Sequence, residues 1–77
     1  MAVKALTAFR YPAGNLVVSV PLASAVSVRF DEQYLQTTSI RAITGGSEFM
    51  YNPNPAQPIR CRVTQTPAQI ATAFGWT

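Results

Sequence analysis

Few side chains in this sequence could do chemistry. There is no histidine, a single cysteine (Cys61) and three carboxylates, Asp31, Glu32 and Glu48, against five arginines and one lysine. General acid–base work draws most often on histidine, so its commonest agent is missing. Asp31 and Glu32 are adjacent and would point to opposite faces of a strand, which makes them a poor carboxylate pair. Glu48 could join either only through the fold. Cys61 has no histidine to activate it as a nucleophile. The stretch "ITGGSE" lacks the spaced glycines and the lysine of a phosphate loop. One thiol and three carboxylates also do not make a mixed metal-ligand set. The inventory points away from an enzyme and assigns no catalytic residue, no metal and no cofactor.

What remains is positive charge. Arg41, Arg60 and Arg62, joined by Arg29, can share the outer face of one sheet and contact phosphates, the working set of a small basic nucleic-acid-binding protein. Stacking platforms for single-stranded bases are scarce, because Phe9, Tyr11, Phe30, Phe49 and Tyr51 all fall on expected inward faces. Only Tyr34 and Trp76 are candidates for exposed rings.

The elements that must position these residues are mostly strands. Val3 to Tyr11 alternates, with Val3, Ala5, Thr7, Phe9 and Tyr11 on one face and Lys4, Leu6, Ala8 and Arg10 on the other. A turn at "YPAGN" follows. Leu16 to Leu22 reads as a second strand that stops at Pro21 or runs along an edge. Ala25 to Asp31 points Val26, Val28 and Phe30 inward, and "EQYLQTTS" is a loop or one helical turn. In "SIRAITGGSEFMYN" the Gly45-Gly46 pair suits a type I′ hairpin turn. That turn sets Ile43 opposite Glu48 and Ala42 opposite Phe49. Ile40, Ala42, Phe49 and Tyr51 then form a core face, and Arg41, Ile43, Glu48 and Met50 a mixed one. The proline-rich stretch Asn52 to Pro58 reads as a stiff connection between strands. Ile59 to Thr64 is a strand with Ile59, Cys61 and Val63 inward.

The last fourteen residues, "TQTPAQIATAFGWT", read as a short capped helix. Thr66 suits the N-cap, Pro67 the first helical position and Gln69 the third, a Thr-x-x-Gln capping box. Gly75 suits the left-handed C-terminal cap. Two turns do not stand alone in water, so Ile70 and Phe74 must be buried and the helix is a lid on the core, with Trp76 beside them. The fold expected is therefore mainly β: a small antiparallel sheet or barrel of about five strands, capped by a short C-terminal helix, in one domain covering residues 1–77.

Composition narrows the function class. Charged residues make up 12% of the chain and hydrophobic ones 48%, against about 25% charged in an average domain. A chain this small has a marginal core and usually needs outside support. A lone cysteine and no metal set leave association as that support. The primary reading is a non-enzymatic structural or interaction module, a homo-oligomer or a subunit on a larger protein scaffold. Its expected contact residues are Ile43 and Met50, apolar on a face that need not be core, followed by Tyr34 and Trp76. In general character the composition is similar to small accessory proteins of phage particles, such as capsid-decorating or connector subunits. No small-molecule substrate is evident. No signal peptide is expected, because Arg10, Pro12, Gly14 and Asn15 break the apolar stretch near the start. No apolar run reaches the length of a membrane span. A cytoplasmic or virion-associated location follows as the expectation.

Overall fold

The computed structural model describes residues 2–53 and 58–76. Six strands form one antiparallel sheet: β1 (Val3–Ala13), β2 (Leu16–Ser19), β3 (Val26–Asp31), β4 (Arg41–Ile43), β5 (Gly46–Tyr51) and β6 (Ile59–Val63). The helix α1 (Pro67–Phe74) follows. The order across the sheet is β2–β1–β6–β5–β4, and β3 also pairs with β1. Ala8 pairs with Val26 on one side and Val63 on the other, and Arg10 with Ser19 and Arg62 in the same way. Thus β2 and β3 lie end to end along the same side of β1, separated by Pro21 and the 3-10 turn Leu22–Ser24. The sheet has five ladder positions.

Those five positions curl into a half-barrel. The chain leaves β3 on one side of the sheet and reaches the far side within three residues. There Asn52 donates its N–H to the Tyr34 carbonyl at 2.9 Å, and Gln36 donates to the Met50 carbonyl at 3.0 Å. Ser39 Oγ accepts from the Met50 N–H at 2.8 Å. These bonds satisfy the edge of β5 beyond the end of β4. The Asp31 N–H also donates to the Tyr51 hydroxyl at 2.7 Å, tying the two sides of the curl together.

Phe30, Phe49, Leu6, Val63, Cys61 and Ile70 are all but inaccessible at the centre of the curl. Phe30 meets Phe49 and Tyr51 edge to face, with ring centres 5.3 and 5.0 Å apart. α1 closes the assembly with Ile70 and Phe74 facing in. Its N-terminus is the capping box expected from the sequence: the Thr66 hydroxyl accepts from the Gln69 N–H, and the Gln69 side chain accepts from the Thr66 N–H. Gly75 takes the left-handed conformation, with φ +74°. The Gln65 side-chain amide accepts from the Thr7 N–H and donates to the Thr7 hydroxyl, and so fixes the entry of the helix against β1.

Three expectations need correction. The first is the face of β1. Leu6 and Ala8 are buried while Val3 and Ala5 are exposed, the reverse of the expected inward set. The reason is a bulge. β1 steps from Ala8 to Arg10 while β6 steps only from Val63 to Arg62, so Phe9 is an extra residue. A bulge breaks the alternation, and the inward face changes parity along the strand. Ala8 points in, Arg10 points out beside Arg62, and Tyr11 packs against the core again. No single alternation describes both halves.

The second is the hairpin register. The loop is Thr44-Gly45, with Ile43 opposite Gly46, Ala42 opposite Ser47 and Arg41 opposite Glu48. Thr44 has negative φ and Gly45 has φ +92°. These are the signs of a type II rather than a type I′ turn. The difference is a slip of two residues, which preserves the faces. Arg41, Ile43, Glu48 and Met50 still lie together outside, and Phe49 and Tyr51 inside. Ala42, expected in the core, is exposed on the short edge strand.

The third is the second strand. It ends at Ser19, before Pro21. Leu16 and Leu22 at its expected ends are 71% and 47% exposed, and Val26, expected inward, is 43% exposed. The ambiguous stretch after β3 resolves into two 3-10 turns, Glu32–Tyr34 and Thr37–Ser39. The connecting reading of Asn52 to Pro58 falls mostly on residues 54–57, outside the described residues.

Candidate functional site

Four arginines gather on the outer face of the sheet around one carboxylate. Glu48 sits in the middle of β5, and Arg41 on β4 and Arg62 on β6 are its direct cross-strand neighbours. Arg41 Nε donates to Glu48 Oε1 at 2.9 Å and Arg62 Nε to Oε2 at 3.0 Å. Arg60 Nε lies 3.7 Å from Oε1. Arg10, turned outward by the bulge, donates from Nε to the Arg60 carbonyl at 2.9 Å. The Glu48 side chain is only 5% exposed, whereas the side chains of the three arginines around it are 45–66% exposed. A buried acid thus anchors partly exposed bases, which spend one edge on it and keep other N–H groups facing water.

Burial pushes the Glu48 carboxyl up. The hydrogen bonds from Arg62 and Arg41 and the charges of Arg41 and Arg60 outweigh it, so the group lies below its ordinary value of 4.5. A carboxyl held below its unfolded value stabilises the fold above that value, and the contribution fades as pH falls through the lowered folded one. The wild-type chain should therefore melt above Glu48→Gln at neutral pH, and the gap should close progressively below pH 4.5. Thermal melts of both proteins across that range check this. A gap that persists unchanged into strong acid would show that Glu48 acts through packing alone.

The bulge also opens a cleft. The β1–β6 ladder ends at the Arg10–Arg62 pair, and beyond it β1 pairs only with β2. Between that departing hairpin and β6 lies an open depression of about 600 Å³, lined chiefly by Arg10, Val17, Met50, Ile59, Arg60 and Arg62. No aromatic ring lines it. The four arginines and Glu48 together carry the whole net charge of the chain, +3, because Lys4 and Arg29 are matched in number by Asp31 and Glu32.

The structure brings together Arg41, Arg60 and Arg62 of the four arginines singled out from the sequence. Arg29 stands apart. It lies on β3 opposite Ala5 of β1, five residues along β1 from Arg10 and so about 16 Å away along the strand. Arg10 is the member absent from that set, although the expected alternation already puts it on the outward row of β1; Leu6 and Ala8 turn inward instead, and the bulge at Phe9 keeps Arg10 outside.

The four expected contact residues do not form one patch. Ile43 and Met50 are half-buried on the arginine face. Tyr34 is 37% exposed and leans edge to face on Tyr51. Trp76 is held within the fold: it stacks on Phe74 with ring centres 5.0 Å apart, and its indole N–H donates to the Glu32 carboxylate. That bond and a second one from the Ala2 N–H keep the Glu32 carboxyl below its ordinary value. Cys61 is fully buried, and burial pushes its thiol up to about 12, so it behaves as a small apolar residue.

Among the described residues, no three His, Cys, Asp or Glu side chains come together to hold a metal ion. No described helix is long and apolar enough to cross a membrane. No family model matches this sequence, and neither a curated protein nor a solved structure is similar to it.

Proposed function

We propose that this chain is a non-enzymatic interaction module that works as a self-associating subunit of a protein assembly, docking through the edge formed by β2 and β3. The observation that supports this is the character of that edge. From Tyr11 to Val28 there is no charged residue. Within that stretch Leu16, Val17, Leu22 and Val26 are each more than 40% exposed. Natural sheet edges are usually blunted by charge, above all lysine, because their free N–H and C=O groups invite another strand. Along this charge-free stretch only Pro21 and the 3-10 turn interrupt the edge, and charge returns at its far end with Arg29 and Asp31 of β3. An antiparallel pairing of like edges is self-complementary and closes into a two-fold dimer. A small accessory subunit of a phage or viral particle would have such a surface.

Light scattering at rising concentration tests the reading. A discrete oligomer at both low and moderate salt is expected, since the contact is apolar. Leu16→Gln with Val26→Gln should convert it to monomer at little cost in melting temperature. Ile43→Gln with Met50→Gln probes the outer face in the same assay and should leave the mass unchanged. A wild-type monomer at every concentration would reject self-association.

A further inference from the structure

We infer that the cleft beside the Phe9 bulge is a binding site for the phosphodiester backbone of a nucleic acid, engaged without reading bases. The site shares only Val17 with the apolar edge, and its charge argues for it. The chain's entire net charge is gathered on this one face. Every cation there is an arginine, whose planar fork matches phosphate oxygens two at a time. Glu48 holds Arg41 and Arg62 by their Nε atoms and stands near Arg60. The guanidinium groups are therefore already oriented and lose less freedom on binding.

The geometry narrows the ligand. A lone phosphate would use two guanidinium groups, whereas Arg10 on β1, Arg62 and Arg60 on β6 and Arg41 on β4 span a face four strands wide, enough for successive phosphates of a strand. With no aromatic ring in the cleft there is no stacking platform, so single strands gain nothing that a duplex lacks. A duplex offers the denser charge, about one per 1.7 Å of axis. An acidic peptide would need backbone partners to add as a strand. The side of β6 facing β5 is already paired, and the Arg60 carbonyl facing the cleft is taken by Arg10.

Fluorescence anisotropy with a short labelled DNA duplex tests this. With about three phosphates contacted, affinity should fall roughly forty-fold between about 50 and 200 mM salt. Arg62→Ala and Arg29→Ala each remove one positive charge, but only the first removes it from the cleft. Arg62→Ala should weaken binding by about tenfold and flatten the salt dependence by about one contact, while Arg29→Ala should do little. Arg10→Ala, which leaves every partner of Glu48 in place, should repeat the effect of Arg62→Ala and so covers the case in which the latter unfolds. Leu16→Gln, outside the cleft, should bind duplex normally, so failure of the assembly reading and failure of this one are separable. Equal losses from Arg29→Ala and Arg10→Ala would overturn the site. Polyglutamate competing as well as unlabelled duplex would overturn the nucleic acid in favour of an acidic peptide. Absence of salt-dependent binding would overturn both.

Discussion

Gly46→Ala should leave the chain unable to fold. A Cβ added there would fall on the Val63 carbonyl oxygen, far inside contact distance, and 2.7 Å from two backbone atoms of Thr64. The obstacle is the backbone of β6, which cannot turn aside as a flexible side chain can. The local conformation, φ +153°, is one that only glycine adopts readily. Moving either strand would break the β5–β6 ladder, which also holds Glu48 against Arg62 and Phe49 over Cys61. The cost should be on the order of 4 kcal/mol or more, the range reserved for named structural lesions. A small domain has only about 5–15 kcal/mol in total. Gly14→Ala is the matched control. It too has positive φ, +61°, but nothing lies within 4 Å of the added carbon. Its cost should be only the left-handed strain of about 1–2 kcal/mol. Circular dichroism should show an unfolded Gly46→Ala beside a folded Gly14→Ala. A folded Gly46→Ala with a near-native denaturation midpoint would mean that β5 and β6 do not approach this closely.

Phe30→Ala should be the most damaging truncation among the core side chains, at about 3–5 kcal/mol. Phe30 is completely buried and is the largest such side chain. It stands edge to face against both Phe49 and Tyr51, and such pairs add about 0.5–1.5 kcal/mol beyond burial. It also sits on β3, whose strand partner among the described residues is β1. Its ring is therefore the main apolar tie from that strand to β5. Urea denaturation should show a midpoint lowered by most of its wild-type value, and Phe30→Leu should recover part of the loss. An effect under about 1 kcal/mol would place the centre of the core elsewhere.

How far such features could be read in the sequence depended on how local they are. The helix was legible to the residue, because Thr66, Pro67, Gln69 and Gly75 each meet a requirement set by their own backbone position. The inward Cys61 and Val63 and the outward Arg60 and Arg62 followed from one uninterrupted alternation. The faces of the β4–β5 hairpin follow as well, except that Ala42 is exposed on the short edge strand, and its register differs by two. A glycine pair announces a turn, but only the approach of β6 decides which glycine turns and which stays in the strand. β1 was misread because its alternation is broken at Phe9, and a bulge depends on what the neighbouring strand needs. Val26 reads as inward because apolar alternation cannot tell a buried face from an exposed edge. The arginine cleft was half legible: Arg41, Arg60 and Arg62 follow from strand parity, whereas Arg10 joins them only through the bulge.

That bulge has a consequence in the language of insertions and deletions. Phe9 is one residue that the β1–β6 ladder does not count. Delete it, and regular pairing would run on past Arg62. Arg10 would follow Ala8 directly and still face outward opposite Arg62, but the hairpin would zip toward β6 where the cleft now opens. Exchanging any one arginine changes the charge of the face but keeps its shape. Losing a single codon would erase the shape and leave all five arginines in the chain. The cleft is written in the length of a strand as much as in the identity of its side chains.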